Sequence, residues 1–391
     1  MNFLSRFQRQ QKQTPRAYSL IDVGRDSVKA AVVLKTPGSK EFEVVGYGQA
    51  KTGGYDITGG RTEANAITRP VNAALTQAED NTEATTGHKI VPDDAVFILA
   101  GRACIGKAVT ARQGRQKPGL PITAKELQSL RNRAEKLARQ DLAKELEEGG
   151  QWLPLAVTDA GTRIDDHVVL DGVGLTGGEI AFWVFAIAGQ AGALRALAVL
   201  ANRLDLTIAG IVASPHALAA AVPQAEAIIL DVGYTGTDIC LIKNDALVAA
   251  DWIPFGGYFF SRALARHMNI SQSEADALKL AFARSELEAE TAQQIDAHFE
   301  TLRQRWYTEA LEMMTGLAGH KPLPRQIYLT GGGSLLPGLD KWLRSNPEPF
   351  ISAPEVNWLG RQPLPFIKNS TESLNYDLFA LTLSGVVGIP E

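Results

Sequence analysis

Two cysteines in 391 residues, Cys104 and Cys240, are too few for a disulfide framework or a thiolate metal site. That scarcity suits a reducing cytoplasm. The histidines (His88, His167, His216, His267, His298 and His320) fall at no ligand spacing, which argues against a zinc centre. A basic surplus is missing too. The formal net charge is −4, whereas a nucleic-acid binder would carry a basic domain or stripe. No apolar run reaches membrane-spanning length, and the start lacks the apolar core of a signal peptide. What remains is an ordinary globular composition, 45% hydrophobic and 21% charged, in a chain long enough for two or three domains with large cores.

The most informative stretch runs from Ala227 to Pro254. A short apolar run, Ile228-Ile229-Leu230, ends in Asp231-Val232-Gly233, and Tyr234-Thr235-Gly236-Thr237-Asp238 follows. A second apolar run (Ile239 to Ile242), turn residues Lys243-Asn244-Asp245 and a third run (Ala246 to Ala249) complete a predicted β-hairpin. Its first turn is made for an anion. Glycines let backbone N–H groups approach a phosphate, and hydroxyls add donors. An aspartate beside a phosphate is repelled unless a cation lies between them, so Asp231 points to Mg²⁺ and a nucleotide.

The same order of parts stands near the N-terminus. An apolar run reaches Asp22-Val23-Gly24, a polar turn carries Ser27 and Lys29, and a second apolar run ends at Lys35. Asp231 follows Asp22 by 209 positions, about the size of one domain. Two related halves closing on one ligand are the expectation. A third piece, the strand Gln326 to Thr330, leads into Gly331-Gly332-Gly333-Ser334. There the backbone can lie flat against a ligand, and the helix expected next offers its N-terminal dipole. One glycine turn alone is commonly structural. The triple DxG…DxG…GGG, in this order, is similar to the signature of the actin-like ATPase fold.

Between these motifs the periodicity predicts a helix over 63–79, a polar loop over 81–94 and a buried strand over 94–100. A loop rich in basic residues and proline (111–121) precedes a charged helix over 124–148, which Thr123 and Glu126 open as a capping box. Strands are expected at 168–173, 179–187 and 208–212, and helices at 192–204, from Ser214, and at 258–267, 271–283, 285–317 and 376–387. Residues 1–16 carry Arg6, Arg9, Lys12 and Arg16 without an acid, with Phe3, Leu4 and Phe7 on one helical face. That pattern fits a loose basic tail or a weak interfacial anchor.

From about residue 18 to 388 the chain resembles the FtsA family of bacterial cell-division proteins, and beyond it the related pilus protein PilM. Four stretches carry the resemblance: IDVGRDSVKA, GLTGGEIAFWVFAI, ILDVGYTGTDICLI with IPFGG and SEADALK after it, and IYLTGGGSLLPGL. It implies an α/β fold, a duplicated actin-like (ribonuclease H-like) ATPase with two lobes around a nucleotide cleft and an FtsA-type inserted α+β subdomain. The first lobe would take residues 17–92 and 181–225, the insert 93–180 and the second lobe 226–374. A C-terminal helix (375–391) would return to the first lobe.

The resemblance also implies ATP and Mg²⁺ as ligands, with Asp22 and Asp231 as the catalytic, metal-facing pair. Gly24, Arg25, Asp26, Ser27 and Lys29 would hold phosphates from one side, and Gly233, Tyr234, Thr235, Gly236 and Thr237 from the other. Gly256 and Gly257 would lie close to the nucleotide, and Asp276 and Lys279 would approach ribose and adenine. Gly331, Gly332, Gly333 and Ser334 would pass beneath the adenosine. The implied role is a weakly hydrolysing scaffold at the inner face of the cell membrane. It would assemble into filaments, with an FtsZ-like tubulin homologue as partner and no nucleic acid. A PilM-type pilus scaffold is the alternative, toward which Asn269-Ile270-Ser271 leans, with an inner-membrane pilus protein as partner. A small-molecule kinase of the same fold would need a carboxylate base that no feature picks out. Arg25 and Tyr234 stand where relatives place small residues, so crowding at the γ-phosphate and slow hydrolysis are expected. FtsA chains close with an amphipathic membrane helix, whereas this one ends Gly388-Ile389-Pro390-Glu391. Any membrane contact is therefore expected from residues 1–13 or from a partner.

Overall fold

The computed structural model describes residues 14–55, 57–59, 61–149, 152–165 and 167–390. The expected lipid-facing segment 1–13 lies outside the described residues. The chain opens with an antiparallel meander, β1 (Arg16–Val23), β2 (Ser27–Lys35) and β3 (Phe42–Lys51). Helix α1 (Arg61–Thr86) lies across it. The approach is close enough that a Cβ on Gly46 or Gly48 would stand 2.1 Å from a carbonyl oxygen of the helix. Strand β4 (Asp94–Leu99) then pairs parallel with β1.

The chain next leaves this sheet. Strand β5 (Cys104–Gly114), helix α2 (Ala124–Gly149), β6 (Trp152–Ile164), β7 (His167–Val169) and β8 (Glu179–Gln190) form a separate sheet of order β5-β8-β6-β7 with α2 against it. Helix α3 (Ala191–Arg203) and β9 (Thr207–Ala213) return to the first sheet, where β9 pairs with β4. Helix α4 (Ser214–Ala221) leads to the second half.

There the meander recurs as β10 (Ala227–Val232), β11 (Thr237–Lys243) and β12 (Ala246–Ile253). Helices α5 (Gly257–Met268), α6 (Gln272–Ala283) and α7 (Ala289–Leu317) follow, then β13 (Gln326–Thr330), α8 (Leu339–Ser345), β14 (Glu355–Trp358), β15 (Ile367–Asn369) and α9 (Tyr376–Ser384). The two large sheets run β15-β3-β2-β1-β4-β9 and β12-β11-β10-β13-β14. Five strands correspond one to one, three antiparallel and then two parallel, so the duplication is one of topology as well as of motif. Helix α4 contacts β11 and β9, and α9 contacts β1, β2 and β13, so this helix pair joins the two sheets. Three apolar cores result: one around Phe97 and Ile67 that also takes in Ile229, Cys240 and Tyr328 of the second sheet, one around Trp306 and Phe299, and one around Val184 and Leu130.

Several expected boundaries are corrected. The region 81–94 is helical as far as Thr86, because Thr82, Thr85 and Thr86 return their hydroxyls to helix carbonyls and Asn81 donates to the Tyr47 carbonyl. The inserted sheet spans 104–190, in place of the expected 93–180. Strand β4 is a buried parallel strand between β1 and β9, with Val96 and Phe97 fully enclosed. Residues 367–369 pair with β3 and so belong to the first sheet, not the second lobe. Strand β6 escaped the sequence reading. Register shifts at Pro154/Ala156 and Asp159/Gly161 break the alternation that would have marked it. Among the described residues, no helix is long and apolar enough to cross a membrane.

Candidate functional site

The two Asp-Val-Gly turns face each other across a cavity of about 120 Å³. Gly24 and Arg25 line it from the β1–β2 turn, and Asp231, Gly233 and Gly236 from the β10–β11 turn. Each turn is closed by the same backbone bond. Gly24 N–H donates to the Ser27 carbonyl at 3.1 Å, and Gly233 N–H to the Gly236 carbonyl at 2.9 Å. The hairpin registers correspond as well: Asp22 lies opposite Lys29, and Asp231 opposite Asp238.

In the first turn, Lys29 Nζ donates to Asp22 at 3.4 Å, and Thr382 from α9 donates to the same oxygen at 3.5 Å. Ser27 accepts a hydrogen bond from Gln49 at 2.9 Å, and Asp26 pairs with Lys51 at 2.8 Å on the exposed side. The second turn is tied to the start of α5. Gly257 N–H donates to the Gly233 carbonyl at 3.0 Å, and Tyr258 N–H to the Tyr234 carbonyl at 2.7 Å. Glycine is required at 256, since a Cβ there would come within 2.5 Å of the Gly233 carbonyl oxygen. Thr237 departs from expectation. Its hydroxyl donates to the Phe255 carbonyl at 2.7 Å, accepts from the Trp306 indole at 3.0 Å and is fully buried. A β-strand alternates its faces, and Thr237 falls on the core side.

Asp231 is buried beside the glycine segment. A Cβ on Gly331, whose φ is +80°, would sit 2.2 Å from its Oδ1, so only glycine leaves this carboxylate its place. Gly333 packs against Val232, and Ser334 donates its hydroxyl back to the Gly331 carbonyl at 2.7 Å. The expected α-helix does not follow directly. A 3₁₀ turn covers Gly332–Leu335, and Pro337 and Gly338 (φ +87°) separate it from α8.

Asp276 and Lys279 come together on α6, 3.1 Å apart, and Lys279 also donates to the Gly257 carbonyl at 3.1 Å. Asp276 accepts further hydrogen bonds from Ser261 and from the Tyr234 hydroxyl, the latter at 2.8 Å. Burial works against the Asp276 charge, but the donors around it and Lys279 outweigh that cost and hold its carboxyl below the ordinary range. Burial lowers Lys279. Burial and the neighbouring Asp276 push the Tyr234 phenol up, so it stays protonated and donates.

Two contributors, Asp238 and Trp252, carry no role that the sequence alone assigns. Asp238 accepts from Gly101 N–H at 3.0 Å and from Ser214 at 2.7 Å, and so links the second hairpin to the end of β4 and the start of α4. The Trp252 indole fills the seam beside both: a Cβ on Gly236 would meet it at 2.2 Å and one on Gly101 at 3.2 Å. The available signal for Asp238 was its place in the motif, since it closes the second hairpin where Lys29 closes the first.

Residues 228–362 match the family model described as cell division protein FtsA. Among solved structures, PilM of the PilM–PilN type IV pilus biogenesis complex aligns at 17% identity and a TM-score of 0.63, covering 97% of this chain and 100% of that one. The fold is the actin-like ATPase fold. The ethanolamine utilization protein EutJ from Carboxydothermus hydrogenoformans also aligns, at 14% identity and a TM-score of 0.51, over 97% of this chain and 92% of that one. No curated protein sequence matches the chain. The actin-like architecture accounts for the repeated meander and for the cleft where its two copies meet.

The carboxylates make stability depend on pH. Burial, then Asp238 and Asp22, push Asp231 up to about 7 against a partial offset from Lys29. The native value lies above the ordinary 3.8, so the folded protein binds this proton more tightly than the unfolded chain does. That stabilisation is complete at low pH and is lost as pH rises through about 7. Thermal melts in chelator between about pH 5 and pH 8 should show the melting temperature falling with pH. Asp231→Asn should flatten the trend, and an unchanged slope in that variant would assign the dependence elsewhere.

Proposed function

We propose that this chain is an ATP-binding, actin-like scaffold of the FtsA kind, whose lobes close on Mg²⁺·ATP and whose assembly follows that closure. The observation that carries the proposal is the meeting of both Asp-Val-Gly turns in one cavity with Asp231 at its wall. In this reading Gly24, Ser27 and Lys29 bind phosphate from the first lobe, and Gly233, Thr235 and Gly236 from the second. Gly331 to Gly333 support the nucleoside beside Asp276 and Lys279. Among the described residues, no group of three His, Cys, Asp or Glu side chains forms a ready metal cage. That donor set fits Mg²⁺, which keeps most of its waters and takes one or two carboxylates plus phosphate oxygens. The cradle that Gly331 leaves for Asp231 provides one such carboxylate. When bound, the ion would neutralise the charge between phosphate and Asp231. The chain's own part is to hold Asp22 on Lys29, to present backbone N–H groups and to bring the two turns into register.

Calorimetry with Mg²⁺·ATP tests this directly. Asp231→Ala removes the carboxylate, and Gly332→Asp adds a charge where a Cβ meets nothing nearer than 3.8 Å. Each should weaken binding by at least about tenfold. Unchanged affinity in both would remove the nucleotide reading.

A second reading, a pilus scaffold of the PilM kind, is favoured by the whole-chain alignment to PilM, whereas the FtsA match is confined to residues 228–362. In that reading the partner is the tail of a PilN-type inner-membrane protein, and in the first it is an FtsZ-type filament. Either partner would place the protein at the inner face of the cell membrane. Co-pelleting with FtsZ-type filaments and capture on an immobilised PilN-type tail separate the two. Binding to neither would count against a scaffold.

A further inference from the structure

Tyr234 is the large side chain in a turn otherwise made of Gly233, Thr235 and Gly236. It points along α6. Its hydroxyl donates to Asp276 Oδ2 at 2.8 Å, and the Lys279 ammonium lies 5.2 Å from its ring centre. The Tyr258 ring packs against it, with the ring centres 5.6 Å apart. Asp276 Oδ1 meanwhile accepts from Ser261 and Lys279. The result is a closed polar network between the second turn, α5 and α6, in which Gln272 also donates to Asp276 Oδ2, at 3.5 Å. The cavity between the turns includes Tyr234 in its wall but neither Asp276, Lys279 nor any residue of the 331–334 segment. At about 120 Å³ it is well below the several hundred Å³ usual for a site that encloses a small organic ligand.

We propose that Tyr234 is an internal gate for the nucleoside: its phenol occupies the place on Asp276 that a ribose hydroxyl would take, and binding requires the phenol to swing away. The inference rests on the nucleotide reading above. Phenol and ribose hydroxyl are equivalent donors to a carboxylate, so one replaces the other without loss of satisfaction at Asp276. What opposes binding is the charge-assisted bond that must first be broken. The backbone need not move, because the Tyr234 carbonyl stays fixed by Tyr258 N–H while the side chain rotates. Triphosphate and nucleoside are thereby separated. The phosphate turns are accessible in the closed state, and the Asp276–Lys279 pair only in the open one.

The test titrates Mg²⁺·ATP and Mg²⁺·tripolyphosphate into the wild type, Tyr234→Phe and Tyr234→Ala, with circular dichroism confirming that each is folded. Removing the hydroxyl should tighten ATP binding about tenfold, the usual scale for a hydrogen bond to a charged group. Tyr234→Ala should tighten it at least as far, and tripolyphosphate affinity should be the same in the wild type and in Tyr234→Phe, which keeps the ring in the cavity wall. ATP affinity unchanged or weakened in both variants would overturn the gate and leave the nucleotide reading standing. Equal tightening of both ligands would place the effect in the phosphate turn and overturn the gate as well. Failure of all three proteins to bind either ligand would overturn both the gate and the reading beneath it.

Discussion

Asp22, Asp231 and Asp238 are buried in one crevice, and the cost of burying these acids, with the repulsion between them added to it, is the constraint around which the centre of the molecule is arranged. Each is answered differently. Asp22 receives Lys29 and Thr382, Asp238 receives Gly101 N–H and Ser214, and Asp231 is set against Gly331 with Lys29 at longer range. The partners come from five separated stretches of chain, so the crevice exists only when both halves and the C-terminal helix are in place. Burying carboxylates together is costly unless something positive joins them. A site with this electrostatic character has a physical reason to take a cation, and a polyphosphate with it.

The duplicated meander explains how the crevice is built. Each half brings one acid at the end of its first strand and a second polar group opposite it: Lys29 in one half, Asp238 in the other. Helices α4 and α9 lie between the two sheets and transmit contact from one to the other. The Asp238 bonds and the Trp252 indole then pin the second hairpin to the end of β4, directly before the chain departs into the inserted sheet. A change at the second turn therefore has a short route of packed groups to the insert. That is the coupling the proposed nucleotide-controlled assembly would use.

The parts of this arrangement visible in the sequence were those fixed by local chemistry. Apolar runs ending in Asp-Val-Gly announce a buried strand and its turn, and three successive glycines announce a close approach. The capping box at Thr123 and Glu126 is present as read, with Thr123 and Glu126 bonded reciprocally. What stayed hidden depends on tertiary contact. Strand β6 is bulged twice, so its alternation is lost. Thr237 turns inward because the core supplies Trp306 as a donor. Tyr234 reads as an obstacle in a phosphate turn, and its reach to Asp276 follows only from the packing of α6 beside that turn. Likewise the bond from Asp238 to Gly101 spans 137 positions, a distance no local pattern encodes.

If two turns far apart in sequence and the glycine segment act as one ligand site, Mg²⁺·ATP must reach all three at once. Hydrogen–deuterium exchange with and without Mg²⁺·ATP measures this most directly, through peptides covering residues 22–29, 231–238 and 331–334. Nucleotide is expected to slow exchange in all three together. Protection of one turn alone, or of none while ATP is bound, would contradict it.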